Sequence, residues 1–577
     1  MKRLALICGL LFAATPLRAA PVGYEISADS IQQHIEILAS DSLEGREVGE
    51  PGEWKASQYI TTVFKAAGLQ PKGDDGSYRQ PFEFTRRIDF GSENRLSIAG
   101  HALTVLEDFQ PLQHSVSGGF DFDTIFDVGY GIVTSDSSYD DYAGLNVRGK
   151  AVLIKRYAPE DATSADESDT ASKAIDTTYD RYSTLTSKIA TALDHGATGI
   201  FFYTPESYDD TVLSRNAMHV TPKDIPIVFL RRQAFEKLGQ SLDSPLLTDV
   251  TGRTDLIRVR DTGYNVIGYV PGLTDTVTII GAHYDHLGWG TSGSRYMGPE
   301  KKIHYGADDN GSGTAALLEL ARYFADPAHR LRSSLLFIAF SGEEAGTLGS
   351  GHFVRNWTVD KSKTKMMINM DMIGRLAEQE HGLAIMGTGT CQEFKDYFEH
   401  LDLGSMKAVF KESGAGPSDH AAFYHDSIPA LHFFTGAHKD YHTPDDVASK
   451  IDNEGIVQVA DLVADIVEQF DEQSGPLTFL RTKDVSPGGG RGNLKVTLGI
   501  MPDFITEQAG LGIDGVTPDK PADRAGLLKG DVIIQMDQRK IGDIYDYMNA
   551  LGKYRKGNSC LVTVVRGSDT LQFEINF

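Results

Sequence analysis

The chain has 577 residues, 41% of them hydrophobic and 23% charged, and carries a formal charge of −25. That length exceeds what one hydrophobic core serves, so three or four domains of ordinary globular composition are expected. The acidity argues against nucleic acid and anionic membrane surfaces as partners, since both would repel it.

Residues 1–20 read as an export leader. Lys2 and Arg3 precede an apolar run from Leu4 to Ala14, and Pro16 and Arg18 lead into Ala19 and Ala20. This is a positive end, a core too short to span a bilayer, and a small-residue cleavage zone. Cys8 follows Ile7 rather than the small residue that lipid attachment requires, so a free periplasmic or secreted protein is expected. Loss of Lys2, Arg3 and Arg18 on cleavage takes the formal charge from −25 to −28. No later apolar stretch is long enough for a transmembrane segment. Cys391 and Cys560 then remain, in different expected domains, and no disulfide is expected between them.

From Ala28 to Gly73 the pattern is helical. Ile31, His34, Ile35, Ile37 and Leu38 are spaced for one buried face, and a second run, Trp54 to Ala67, ends at Gly68. A Gly-rich connection, Leu43 to Gly52, lies between them. From about Pro81 to Arg258 the texture turns to β alternation with long polar loops. Strands are expected at Ala151–Lys155, Ile200–Tyr203 and Ile225–Leu230, a helix at Ser187–His195, and a solvated loop over Ala158–Asp180. Residues 264–475 alternate strand and helix, the pattern of an α/β fold with a mostly parallel central sheet flanked by helices. Its clearest strands are Thr276–Gly281, Ser334–Phe340, Met366–Asn369 and Ala430–Phe434. The helix after Asp308 repeats Leu317, Leu320, Ala321 and Phe324 at helical spacing. A Gly-rich linker, 481–493, separates a compact β-rich module at 494–577.

Five short polar segments carry the chemistry: Gly281-Ala-His283-Tyr-Asp285, Gly306-Ala-Asp308-Asp309-Asn310, Ser341-Gly-Glu343-Glu344, Asn369-Met-Asp371-Met372 and Tyr441-His442-Thr443-Pro444. Each lies at or beyond the carboxyl end of an expected strand, the rim where loops of an open α/β sheet converge. Two imidazoles and three carboxylates suit a pair of zinc-like dications if one carboxylate bridges them. Asp308, just before a helix start, is the best candidate for that bridge. Asp285 lies two residues from His283, on the same side of an extended backbone, and can hold the ring nitrogen that faces away from the metal. Glu343 and Glu344 are adjacent and point apart, so Glu344 can bind metal while Glu343 serves as general base. Bound metal would lower the pKa of water from about 15.7 to about 7.

These strings resemble the co-catalytic di-zinc aminopeptidase family, which includes leucyl aminopeptidase-like enzymes. The shared pattern is His-x-Asp, Gly-Ala-Asp-Asp-Asn, Glu-Glu, Asn-x-Asp-Met and His-Thr-x-x-Asp, present here in order. The resemblance implies one zinc on His283 and Asp371, the other on Glu344 and His442, with Asp308 bridging; cobalt or manganese would fit the same donors. It implies Glu343 and Asp285 as the catalytic and orienting acids, a cis peptide at Asp308-Asp309, and supporting contacts from Ser418-Asp419-His420. Its substrates would be peptides with a free N-terminus, attacked by a hydroxide shared between the metals. A tyrosine that relatives often place near the substrate carbonyl is absent from Ser413–Pro417. Arg375 and Trp289, close in sequence to the proposed ligands, are open between substrate contact and packing.

Residues 86–257 resemble a protease-associated domain inserted into the peptidase, through Tyr142-Ala-Gly-Leu-Asn-Val-Arg-Gly-Lys150. Residues 494–577 resemble a PDZ module, with Leu498-Gly499-Ile500 as its carboxylate-binding loop and Pro521 to Asp531 as its core string. A peptide or a free C-terminus is the ligand that such a module implies. The peptidase would then comprise 21–85 and 258–480. Glutaminyl-cyclase-like acyl transfer, or a catalytically silent receptor or scaffold, are the alternative readings.

Overall fold

The computed structural model describes residues 23–577 except 135–137, 160–178, 180–181, 209, 211–221, 244, 297, 380–381, 473–476, 483–495, 504–509, 517–519, 543 and 568. The expected leader, most of the loop 158–180 and most of the linker 481–493 lie outside the described residues. Among the described residues no helix is long and apolar enough to cross a membrane.

Four strands form the parallel centre of a nine-stranded sheet: Ser334–Phe340, Val277–His283, Thr364–Met370 and Ala430–Phe434, in that spatial order. Most of their residues are apolar and buried, because helices cover both sides. The strand expected to stop at Gly281 continues to His283, so the histidine leaves the sheet at its rim. Antiparallel strands flank this centre. Leu256–Val270 pairs with Ser334–Phe340 on one side, and Leu383–Met386 pairs with Ala430–Phe434 on the other.

Helix Gly313–Ala325 buries Leu317, Leu320, Ala321 and Phe324, as its spacing predicts. Helix Ala28–Leu38 buries Ile31, His34, Ile35 and Leu38, and Ser27 caps it by accepting from the Ser30 N–H. Ile37 does not join that face. It is 41% exposed, because a residue one short of the repeat is rotated off the buried stripe. His34 is not idle in the core: its ring reaches Glu319 of the neighbouring helix at 3.1 Å.

A second sheet of eight strands occupies the region between Arg95 and Thr254. Its middle is also parallel, with Gly118–Asp127, Ala151–Lys155, Gly199–Tyr203 and Ile227–Leu230 side by side. A long antiparallel ribbon, Arg79–Phe90 with Leu256–Val270, joins it to the central sheet. Positions 86 and 257, the ends of the expected insert, both lie on this ribbon. The C-terminal residues form a third, six-stranded sheet, with Ile500–Asp503 at one edge. Cys391 and Cys560 are buried in separate cores.

Candidate metal centre

The rim of the central sheet gathers His283, Asp309, Asp371, Glu344 and His442. His283 Nε2 lies 3.4 Å from Asp309 Oδ1 and 3.2 Å from Asp371 Oδ1. His442 Nε2 lies 3.2 Å from Asp309 Oδ2 and 3.1 Å from Glu344 Oε2. The two oxygens of Asp309 therefore face two different donor groups. Donors on one tetrahedral zinc, each about 2.0–2.1 Å from it, lie roughly 3.3–3.4 Å apart. These separations fit two such ions sharing one carboxylate.

The bridging position belongs to Asp309 and not to Asp308, which corrects the sequence expectation. Asp308 turns the other way. Its Oδ1 accepts from the Gly374 N–H at 2.7 Å, and its Oδ2 lies 3.1 Å from His438 Nε2. The cis peptide likewise sits at Asp309-Asn310, one bond beyond the expected place. Gly306 opens this turn with a positive φ of 57°, and a Cβ there would lie 2.2 Å from the Asp309 carbonyl oxygen. No larger residue fits there without shifting the Asp309 backbone or the His286 ring.

Remote residues hold the turn. Asp446, the last residue of the His-Thr-x-x-Asp string, accepts from the N–H groups of both Asp308 and Asp309. Arg46, from the Gly-rich connection between the first two helices, is fully buried and donates to the carbonyls of Tyr284, Tyr305 and Gly306. One guanidinium thus ties the segment after His283 to the segment before Asp309. Nothing in the spacing of Arg46 announced this; an arginine inside a glycine-rich turn was the sole signal.

Asp285 is buried with its Oδ1 3.6 Å from His283 Nδ1. It also accepts from the N–H groups of Glu343 and Glu344, at 3.1 and 3.3 Å. It therefore fixes the glutamate pair as well as facing the imidazole. His286, absent from the expected set, forms a second donor group with Asp309 and Glu344. Its Nδ1 is 2.8 Å from Glu344 Oε1 but 3.7 Å from Asp309 Oδ2. The short contact is a hydrogen bond, so His442 fits the metal position better and His286 orients Glu344. Ser418 accepts from Asn369 Nδ2 at 2.9 Å, and His420 stacks on His432 at 4.3 Å, which places the Ser418-Asp419-His420 string behind Asp371. Arg375 is buried against Asp440 and Asp446, a packing and ion-pair role. Trp289 lines a different surface cavity, with Glu47 and Arg86.

The electrostatics call for cations. Burial, with Glu344 next, pushes Asp309 up to about 7, and His442 pulls it down. Burial holds the Glu343 carboxyl well above the usual range; His283 opposes this, while Asp371, Glu344 and Asp419 add to it. Burial would depress the imidazoles of His283 and His442, yet the neighbouring carboxylates, Asp371 and Glu344 foremost, hold both well above their ordinary value. A dication takes over from those protons the task of balancing the acids.

A cavity of about 250 Å³ opens onto this cluster. Glu343 lines it with Asp309, Glu344, Asp371 and His442, and Met372, Met386, Phe434 and Ala437 supply an apolar wall. Tyr441 also lines it, stacked on His442 at 3.8 Å, and burial keeps its phenol protonated.

Residues 265–467 match the sequence profile described as Peptidase family M28, and residues 496–577 that of the PDZ domain. A protein named "Probable leucine aminopeptidase" from Trichophyton verrucosum (strain HKI 0517) is 30% identical over 213 residues, 35% of this chain and 54% of that protein. "Aminopeptidase YwaD" from Bacillus subtilis (strain 168) is 28% identical over 272 residues, 44% of this chain and 54% of that protein. The chain thus spans about half the length of these curated relatives. A solved structure titled "Aminopeptidase from Aneurinibacillus sp. strain AM-1" is 23% identical, covers 79% of this chain and 97% of its own, and has a TM-score of 0.43.

Proposed function

Because the segment 265–467 is a domain of Peptidase family M28, joined to a C-terminal PDZ domain, we propose that the protein is a zinc-dependent aminopeptidase. It would remove N-terminal residues from peptides. The observation that carries this reading is the division of the two Asp309 oxygens between His283 with Asp371 and His442 with Glu344. On that geometry His283, Asp309 and Asp371 would hold one zinc, and Asp309, Glu344 and His442 the other. Two bound dications supply a water of lowered pKa and polarise the substrate carbonyl.

The protein's own residues do the rest. Glu343, in the cavity wall beside the ligands, takes a proton from the attacking water and passes it to the leaving amine as the C–N bond breaks. Tyr441 donates a hydrogen bond to the substrate carbonyl oxygen, the role for which the loop Ser413–Pro417 has no tyrosine. The carboxylates that line the cavity, Asp309, Glu343, Glu344 and Asp371, give the substrate's α-ammonium an acidic surround. Met372, Met386 and Phe434 favour an apolar N-terminal side chain, consistent with the names of the relatives. The leader-like residues 1–20 support a periplasmic or secreted location, which N-terminal sequencing of the mature protein would test.

The decisive assay compares free-amine and N-blocked aminoacyl chromogenic substrates, with and without chelator. Hydrolysis confined to the free-amine compounds, lost on chelation and regained with zinc, is expected. Cleavage of the blocked forms would overturn the exopeptidase reading. Silence on all of them, with zinc bound, would overturn the enzyme.

A further inference from the structure

The catalytic cavity has one wall from outside the peptidase domain. Ile500, of the C-terminal module, lines it together with Glu343, Asp371 and His442. Ile500 begins the edge strand Ile500–Asp503, which pairs with Leu511–Val516 on one side. It follows Gly499, whose φ of +78° turns the backbone at the loop Leu498-Gly499-Ile500. The same module meets the second sheet's region elsewhere. The Arg555 guanidinium lies 5.2 Å from the Tyr157 ring and 5.0 Å from that of Tyr208, and those two rings stack at 4.0 Å. The module thus meets the rest of the chain at two separate places, one of them the cavity itself.

Charge and size point the same way. Arg295 is the one Lys or Arg among the described residues lining a cavity otherwise dominated by acids, histidines and apolar groups. Its backbone N–H donates to the His442 carbonyl at 2.9 Å, which fixes it beside a proposed ligand. At about 250 Å³ the cavity is smaller than the ~300–1,000 Å³ common for small-molecule sites. An acidic cluster and a guanidinium within so short a reach match a zwitterion: an α-ammonium at one end and a carboxylate a residue or two away. A longer peptide carries no carboxylate a residue or two from its α-ammonium.

We propose that the site selects peptides of two or three residues, with Arg295 pairing with the substrate's C-terminal carboxylate and Ile500 closing the cavity to longer peptides. This rests on the exopeptidase reading. The C-terminal module is then part of the specificity pocket and not only a tether for a separate partner. Hydrolysis adds one water across the scissile amide whatever the length, so selection lies in binding.

The test uses the full-length, zinc-loaded protein with leucyl-glycine, leucyl-diglycine and leucyl-pentaglycine, their C-terminal amides, and leucyl-p-nitroanilide. We expect kcat/KM at least about 10-fold higher for the two- and three-residue acids than for the six-residue one, and a KM rise of about 10-fold on amidating the short ones. Arg295→Met should erase the acid-over-amide preference, and Arg295→Lys should restore part of it. Ile500→Gly should raise the six-residue rate relative to the three-residue rate. Equal wild-type kcat/KM across the lengths would overturn the proposal. So would an acid-to-amide ratio that survives Arg295→Met, or a uniform loss on every substrate in that variant. Failure to cleave leucyl-p-nitroanilide as well as every peptide is a different result: it defeats the exopeptidase reading and takes this proposal with it.

Discussion

In the central sheet the parallel strands Val277–His283 and Thr364–Met370 run out into His283 and Asp371, with Asp309, Glu344 and His442 arriving on neighbouring loops. In the second sheet the parallel strands Ala151–Lys155, Gly199–Tyr203 and Ile227–Leu230 run out into Arg156, Thr204 and Arg231. There Arg156 donates to the Thr204 hydroxyl, Arg231 to the Leu106 carbonyl, and Lys188 to the Lys155 carbonyl. Both rims are built from parallel strands. One concentrates acids around two imidazoles, and the other holds its cations against neutral oxygens and, at Arg231, the Asp210 carboxylate as well. Among the described residues, the groups able to hold a metal lie only at the first rim. Similar strand arrangements therefore supply the place for a site, while residue chemistry decides whether one exists.

The contrast breaks most completely if the shared carboxylate is removed. Asp309→Ala should lower zinc content at both positions, read by elemental analysis. Turnover should fall by more than the roughly 10²–10⁴-fold that a general base alone supplies. Retention of two zincs per protein molecule would show that Asp309 is not shared. Glu343→Gln separates binding from chemistry: zinc content should hold while kcat drops by about 10²–10⁴-fold, and near wild-type turnover with zinc bound would reassign the base. Asp308→Asn tests the correction between neighbours. As a residue that orients the turn without touching metal, it should cost about 10–100-fold in zinc affinity, less than Asp309→Ala. An equal loss in the two variants would favour Asp308 as the bridge.

The smallest effect belongs to the other rim. Burial lowers the Lys188 ammonium from 10.5 to about 7 in the folded protein. Between those values the unfolded protein holds a proton that the folded one has released, so stability should rise with pH from about 7 to about 10.5. In Lys188→Met that alkaline rise should be missing from a Tm-against-pH series, while turnover is unchanged. A rise of the same size in both proteins would mean that Lys188 is charged in the fold.

Much of this was legible in the residues. The apolar runs Ser334–Phe340 and Ala430–Phe434 appear as strands with the expected ends, because continuous aliphatic and aromatic runs bounded by polar breaks allow little else. The helix after Asp309 and the face of Ala28–Leu38 followed from period, with Ile37 the exception. The flanking strands Leu383–Met386 and Ala408–Lys411 were not singled out, since four residues each make too short a pattern to stand apart from loop.

By itself the sequence determined which segments carry ligand chemistry, since imidazoles and carboxylates at the ends of apolar runs are local facts. Tertiary structure decided which of two adjacent aspartates turns inward, that Arg46 and Asp446 hold them so, and that a residue from the last module reaches the cavity beside them. The reason is geometric. Side-chain direction in a tight turn depends on backbone torsions that distant hydrogen bonds select, and neither torsions nor distant partners are written in residue spacing.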